Sequence, residues 1–364
     1  MSASMIFKIP YFMAKRYMLM KASNRYWQRK MRGKSLKVDG RTLNPRAQAL
    51  IELQSEFGAP VEQWTVPMIR GGYTKSMSLF DGLKQDVTVV KDLTLNLSGR
   101  TIRARLYDPK PEQSDKPCLL YFHGGGFVIG GLESHDRLCR KIALQSDAPV
   151  VAVDYRLGPE NRFPAAMLDA LDSWTWLQEK AASFDIDPMR ITVGGDSAGA
   201  ALALLITGEA SKGELGSVPI ATTLIYPPMM DTPDTSSRRL LSKENIVLTK
   251  DLLDWFSEHF SDDSQVEYQD YLSPLKTAVK GKIGPVWIRT CGFDPLRDDG
   301  VIIDHRLKEL GADVDFAEYD DLYHGFIGAS AILVDVDKMV ADLARFVVAN
   351  SVEKSEETTV QAAE

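Results

Sequence analysis

Residues 191 to 200 read Ile191-Thr-Val-Gly-Gly-Asp-Ser197-Ala-Gly-Ala200. An apolar, β-branched run ends here in Gly-x-Ser-x-Gly, and an Ala/Leu-rich stretch with helical character follows directly, to about residue 211. A strand that becomes a helix across so tight a turn leaves no room for side chains beside it, which is why glycines belong at 195 and 199. The serine between them stands above the sheet, at a helix N-terminus whose partial positive charge favours developing anions. Gly-x-Ser-x-Gly alone occurs by chance as an ordinary glycine turn. The strand before it and the helix after it make it a nucleophile elbow, with Ser197 as the candidate nucleophile.

Outward from this turn the chain alternates. Continuous apolar runs at Cys118-Leu-Leu-Tyr-Phe122, Val150-Val-Ala-Val153, Ile191-Thr-Val193, Thr223-Leu-Ile-Tyr226 and Val286-Trp-Ile288 are each long enough for a strand buried on both faces. Segments with helical spacing separate them, at 134–146, 164–183, 198–211 and 297–310. Strands alternating with helices imply parallel βαβ units, hence an α/β protein with a mostly parallel central sheet flanked by helices. Val87–Val90 and Ile102–Tyr107, with turn signals at Asn96 to Gly99, read as antiparallel edge strands. Residues 1–85 and 231–275 do not fit the alternation. The spacing therefore predicts N-terminal cap helices and a connection over 1–85, core over 86–230, a cap insertion over 231–275, core again over 276–350 and a disordered tail over 351–364.

The second signal lies 74 residues before the serine, where His123-Gly-Gly-Gly-Phe127 follows the buried run 118–122. Consecutive glycines let the backbone approach a ligand and turn several N–H groups toward one point. A phosphate cradle would need a following Lys-Ser/Thr or dinucleotide-fold spacing, and neither is present. Acyl transfer needs donors for a tetrahedral oxyanion, so the N–H groups of Gly125, Gly126 and Ala198 are the expected oxyanion hole.

Only five histidines are available as the base: His123, His135, His259, His305 and His324. With the order nucleophile, acid, histidine, the candidates follow Ser197. His305 falls inside a helical run and His259 inside the expected insertion. His324 lies in Asp320-Asp-Leu-Tyr-His-Gly-Phe326, after the strand-like Val314–Tyr319, where it can reach over a nucleophile. Asp294, after the strand 286–291, is the expected acid that orients it, with Asp298 as the alternative. Asp298 and Asp299 also suit the first turn of the next helix.

Composition narrows the classes. A chain that is 44% hydrophobic and 26% charged matches a globular protein with a sizeable core. All 50 acidic residues lie beyond residue 37, whereas residues 1–37 hold ten of the 43 Lys and Arg, so nucleic acid is not an expected partner. Three cysteines without a pairing pattern point to a reducing compartment, and the apolar N-terminal residues are interrupted by Lys8, Pro10, Lys15 and Arg16 before a signal peptide or a membrane span is complete. A cytoplasmic location is expected. No metal-ligand spacing is present.

Taken together, His123-Gly-Gly-Gly-Phe127, Asp154-Tyr-Arg-Leu-Gly-Pro-Glu160, Gly195-Asp-Ser-Ala-Gly199, Asp294-Pro-Leu-Arg-Asp298 and Tyr323-His-Gly-Phe326 resemble the hormone-sensitive lipase family of bacterial esterases over roughly residues 86–349. The departures are Gly158, commonly Ala, and Asn161, commonly His. The resemblance implies an α/β-hydrolase fold, a helical cap from the N-terminus and an insertion, carboxylesterase activity on a small-molecule ester of short acyl chain, and no cofactor. It also implies a structural role for Asp154 in anchoring the loop that follows it. Hydrolysis of lactones, thioesters or amides by the same residues is the alternative, and a ligand-binding protein without turnover a remoter one. Homo-oligomer assembly stays open.

Met13, Met20 and Trp27 recur every seven residues, with Lys21, Arg25 and Arg29 across the helix. A cap helix over the site is the favoured reading and an interfacial membrane anchor the alternative, because Arg16, Ser23 and Lys30 fall inside the apolar face.

Overall fold

A computed structural model describes residues 3–231, 234–244 and 246–351. Four helices come first: α1 (Ala3–Lys21), α2 (Asn24–Lys30), α3 (Pro45–Phe57) and α4 (Val66–Phe80), with a small ribbon of β1 (Lys37–Val38) and β2 (Arg41–Thr42) between α2 and α3. The main sheet and its crossovers then run β3 (Val89–Leu97), β4 (Arg100–Asp108), β5 (Lys116–Phe122), α5 (Leu132–Ser146), β6 (Val150–Asp154), α6 (Ala165–Lys180), β7 (Ile186–Asp196), α7 (Ala198–Ser211) and β8 (Thr222–Ile225). After α8 (Ser236–Leu241), α9 (Lys250–Phe260) and α10 (Pro274–Thr277), the sheet resumes with β9 (Val286–Phe293), α11 (Arg297–Glu309), β10 (Val314–Tyr323) and α12 (Asp335–Ser351). Ser351 thus still belongs to a helix, and the rest of the expected tail, 352–364, lies outside the described residues.

The eight strands are ordered β10-β9-β8-β7-β5-β6-β4-β3, parallel except for the antiparallel pairs β3–β4 and β4–β6. The α/β expectation and the antiparallel edge both hold. The edge hairpin is longer than the sequence pattern suggested: Leu97 pairs with Arg100, so Asn96 stays in the strand and the turn shrinks to Ser98-Gly99, where Gly99 takes a φ of +69°.

Side chains along each buried strand alternate between two cores, because successive residues of a strand face opposite sides. On β5, Cys118, Leu120 and Phe122 join α6, α7 and α11 on one face. Leu119 and Tyr121 join α5 and α12 on the other. Leu19, Trp27, Leu43 and Leu50 belong to this second core, so α1 to α3 brace the α12 side of the molecule. From α4, by contrast, Ile69 and Tyr73 pack against the first core.

The block after β6 is held differently from the expectation. Asp154 accepts from Arg103 on β4, at 2.6 and 3.0 Å. The anchor of the following loop is Asp169 on α6, fully buried, which accepts from the Arg156 N–H at 2.9 Å and from the guanidinium groups of Arg156 and Arg100. The sequence hid this because the partners are 13 and 69 residues apart. Removing the carboxylate leaves the Arg156 guanidinium and backbone N–H without this acceptor and Arg100 with Asp172 alone, at 2.8 Å. Asp169→Ala is expected to lower stability by about 3–5 kcal/mol in urea unfolding, against a small effect for Asp154→Ala.

Candidate active site

Ser197 sits at the junction of β7 and α7 with φ +51° and ψ −122°, a left-handed backbone that a serine adopts only under constraint. The constraint is visible at Gly199, where an added β-carbon would lie 1.9 Å from the Phe122 carbonyl oxygen. The Ser197 N–H donates to the Ile225 carbonyl at 2.9 Å and pins the turn from the other side.

His324 follows β10 directly. The strand runs on to Tyr323, beyond the expected end at Tyr319, and its pairing with β9 shifts: Tyr319 faces Cys291, but Tyr323 faces Phe293. Such a bulge re-aims the chain. The His324 Nε2 lies 2.9 Å from Ser197 Oγ and Nδ1 lies 2.8 Å from Asp294 Oδ2. Asp294 is fully buried, and its second oxygen accepts from the Leu296 N–H at 2.8 Å. With Nδ1–H donating to the carboxylate, Nε2 carries the lone pair that the serine hydroxyl needs as acceptor.

The other candidates are occupied elsewhere. Asp298 accepts from the Ser237 N–H at 2.8 Å, and Asp299 from the Met229 N–H at 2.9 Å and from Arg238, so the pair staples α8 and the β8 exit to α11. His305 is exposed on α11, and His259 Nδ1 donates to the Trp255 carbonyl within α9. His123 and His135 are buried under the glycine loop.

That loop lies beside the serine. Gly125 and Gly126 have positive φ, and their N–H groups have no acceptor among the described residues. The Ala198 N–H is the first donor of α7, one that no helix satisfies internally. A β-carbon on Gly126 would lie 2.3 Å from the Phe256 ring, so α9 packs directly against the loop.

Sequence reasoning missed the residues that brace this site. Asp196, almost fully buried, accepts from the Gly124 N–H at 2.9 Å and from Tyr121 Oη at 2.7 Å, with His135 Nε2 at 3.3 Å. Burial would raise its carboxyl, but His135, Tyr121 and His123 outweigh that and hold it below the ordinary range. The Tyr226 ring stacks obliquely on His324, with centroids 4.5 Å apart. The signal for Asp196 was in view: a carboxylate at the end of a buried strand must have donors.

The chain matches the family described as alpha/beta hydrolase fold over residues 119–328. It is 33% identical to an ethyl acetate hydrolase of Pseudomonas putida over 310 residues, covering 82% of this chain and 96% of that protein. It is 34% identical to the carboxylic ester hydrolase LipN of Mycobacterium tuberculosis over 302 residues, 81% of this chain and 80% of the relative. Among solved structures, a hyperthermophilic esterase from the archaeon Pyrobaculum calidifontis superposes with a TM-score of 0.77 at 33% identity, covering 83% of this chain and 96% of that one.

The imidazole beneath the glycine loop makes stability depend on pH. Burial, and then the neighbouring His135, push His123 down to about 4. Unfolded, it takes a proton near pH 6.5. Between those values the unfolded chain binds more protons than the folded one, so stability is lost as pH falls through that window. Unfolding free energies from urea titrations between pH 7.5 and 4.5 should fall by up to ~1.4 kcal/mol per pH unit on account of this group. His123→Gln should flatten the slope, whatever it does to stability at pH 7.5.

Proposed function

This chain belongs to the α/β-hydrolase family of hormone-sensitive-lipase-like serine ester hydrolases, and from that premise we propose that it cleaves short- to medium-chain acyl esters through Ser197, His324 and Asp294 by way of an acyl-enzyme. The observation that carries the proposal is the continuous relay of 2.9 and 2.8 Å from Ser197 Oγ through His324 to Asp294. In the proposed reaction Ser197 Oγ attacks the ester carbonyl as His324 Nε2 takes its proton, and Asp294 stabilises the imidazolium that forms. The carbonyl oxygen, now negative, is received by the N–H groups of Gly125, Gly126 and Ala198. Collapse expels the alcohol, which takes the proton from His324. Water, deprotonated by the same imidazole, then releases the acid and regenerates the serine.

The acyl limit is set by what covers the loop. Phe256 touches Gly126, and Trp255 on the same helix meets Trp64 edge-on with centroids 6.2 Å apart. Each acyl methylene buried in the pocket adds ~0.8 kcal/mol until the wall is reached, after which it must be strained or exposed. The sequence similarity to an ethyl acetate hydrolase supports the same direction.

Two measurements test the proposal. Ser197→Ala, His324→Ala and Asp294→Asn should each reduce turnover roughly 10⁴-fold, with double variants no worse than single ones, while Asp298→Asn stays within a few-fold. Near-full activity of Asp294→Asn would remove it from the relay. On a series of p-nitrophenyl esters from acetate to palmitate, kcat/KM should peak at or below about eight carbons, and Phe256→Ala should move the peak to longer chains. Palmitate cleaved faster than butyrate by the unaltered enzyme would refute the acyl assignment.

A further inference from the structure

The first 37 residues hold ten Lys and Arg and no acid. The structure shows how α1 divides its surface. Phe12 packs edge-on against Phe57 and, obliquely, against Phe80, and Leu19 is fully buried, so one face of α1 is sealed onto α3 and α4. The opposite face exposes Met13 at 48%, Tyr17 at 64% and Met18 at 37%. Positions 13, 14, 17, 18 and 21 fall on one arc of a helix with 3.6 residues per turn, so this is a continuous stripe of Met, Ala, Tyr and Met that ends in Lys21.

The three residues that counted against a membrane contact do not interrupt that arc. Arg16 turns inward and donates from Nε to the Leu79 carbonyl at 2.7 Å. Ser23 caps α2, accepting from the Tyr26 N–H. Lys30 lies over the rings of Tyr26 and Trp27. Most of the other cations of α1 and α2 stay unmatched. Lys15 meets Glu56 at 2.6 Å, but Lys21, Arg25, Arg29 and Arg32 have no acidic partner among the described residues. A packed cap helix whose charges meet the acidic remainder would have paired them.

We propose that the outer face of α1, together with the cations of α2, docks on the surface of an anionic phospholipid bilayer. An apolar stripe rich in Tyr and Met beside unpaired Lys and Arg fits the boundary between headgroups and acyl chains, where the apolar side chains leave water and the cations meet phosphate. A second copy of this chain fits less well, since a two-fold pairing through the same face would set like charges against each other. The segment that follows α1 and α2 is tied to the end of the sheet that carries His324. The Asn44 N–H donates to the Asp321 carbonyl at 2.8 Å, and Arg41 pairs with Glu318 at 2.7 Å. None of this rests on the ester-hydrolase proposal.

The test is cosedimentation of the full chain with phosphatidylcholine vesicles prepared with and without phosphatidylglycerol, at low and at high NaCl. Binding should require phosphatidylglycerol and weaken with salt. The triple variant Lys21→Glu, Arg25→Glu, Arg29→Glu should lower the partition coefficient roughly a hundredfold, and Met13→Ser with Tyr17→Ser roughly tenfold. Both variants alter exposed side chains, and unchanged hydrolysis of a soluble ester checks that they fold. Failure to bind phosphatidylglycerol vesicles, equal binding to both vesicle types, or variants that bind like the unaltered protein would each overturn the proposal. So would a dimer in sedimentation velocity that the Met13/Tyr17 variant dissolves, because a second copy would then cover the face.

Discussion

The tightest approach in the site is the one between Gly199 on the first turn of α7 and the Phe122 carbonyl at the end of β5, where a β-carbon would sit 1.9 Å from oxygen. Much follows from it. Because β5 and β7 are hydrogen-bonded neighbours with Phe122 opposite Gly195, a helix that starts this close to β5 must turn at once, and Ser197 is forced to positive φ. An isolated serine in that backbone region costs on the order of 1–3 kcal/mol, so surrounding contacts have to impose it. The same closeness places the loop that leaves β5 beside the serine. Ser197 and the glycine loop are therefore neighbours through strand order, although Gly126 lies 71 residues before the serine in the chain.

Strain held this way needs a rigid floor, and the floor is polar. Two buried carboxylates, at the ends of β7 and β9 with only β8 between them, have opposite assignments because of their neighbours. Asp294 spends one oxygen on the Leu296 N–H and leaves the other for His324. Asp196 is turned away from the serine that follows it. It is engaged by Tyr121, Gly124 and His135, and so holds the glycine loop instead of a base. A carboxylate left unpaired at that depth would cost several kcal/mol, so the donors around Asp196 are a condition for placing it there. His123 completes the brace: its Nδ1–H donates to the Gly124 carbonyl at 2.8 Å, its ring stacks on Tyr155, and its own carbonyl accepts from Tyr155 Oη at 2.7 Å.

What could be read from the sequence is what local pattern controls. The strands β5 to β9 were legible because burial on both faces demands uninterrupted apolar runs, and the elbow because only glycine tolerates its crowding. His324 and Asp294 could be singled out from the ends of strands and the order of the chain, and the structure brings both to Ser197. Illegible were features decided by distant partners. The bulge that carries β10 on to Tyr323 depends on its register with β9. The anchoring of the 156–163 loop depends on Asp169 rather than Asp154. The staple formed by Asp298 and Asp299 needs α8, from a segment expected to be cap. In α1 the heptad of Met13, Met20 and Trp27 suggested one apolar face, yet Met13 is exposed and Trp27 buried, because the chain turns at Ser23 and α2 points its residues elsewhere.

The cover over the glycine loop belongs to the same class of long-range effects. Arg70 on α4 donates to the carbonyls of Val128 and Gly158, at 2.8 and 2.7 Å, and makes a two-pronged pair with Glu160. Arg162 captures the Glu258 and Ser261 carbonyls at the end of α9, and Phe127 stacks on Phe260 with centroids 4.3 Å apart. Helices from two distant segments thus meet at one short block: Arg70 on α4 grips backbone oxygens at 128 and 158, and Arg162 of the block grips those at the end of α9. The elbow and the glycine loop follow from local motifs, whereas the helices that cover the loop are held by residues that no motif contains.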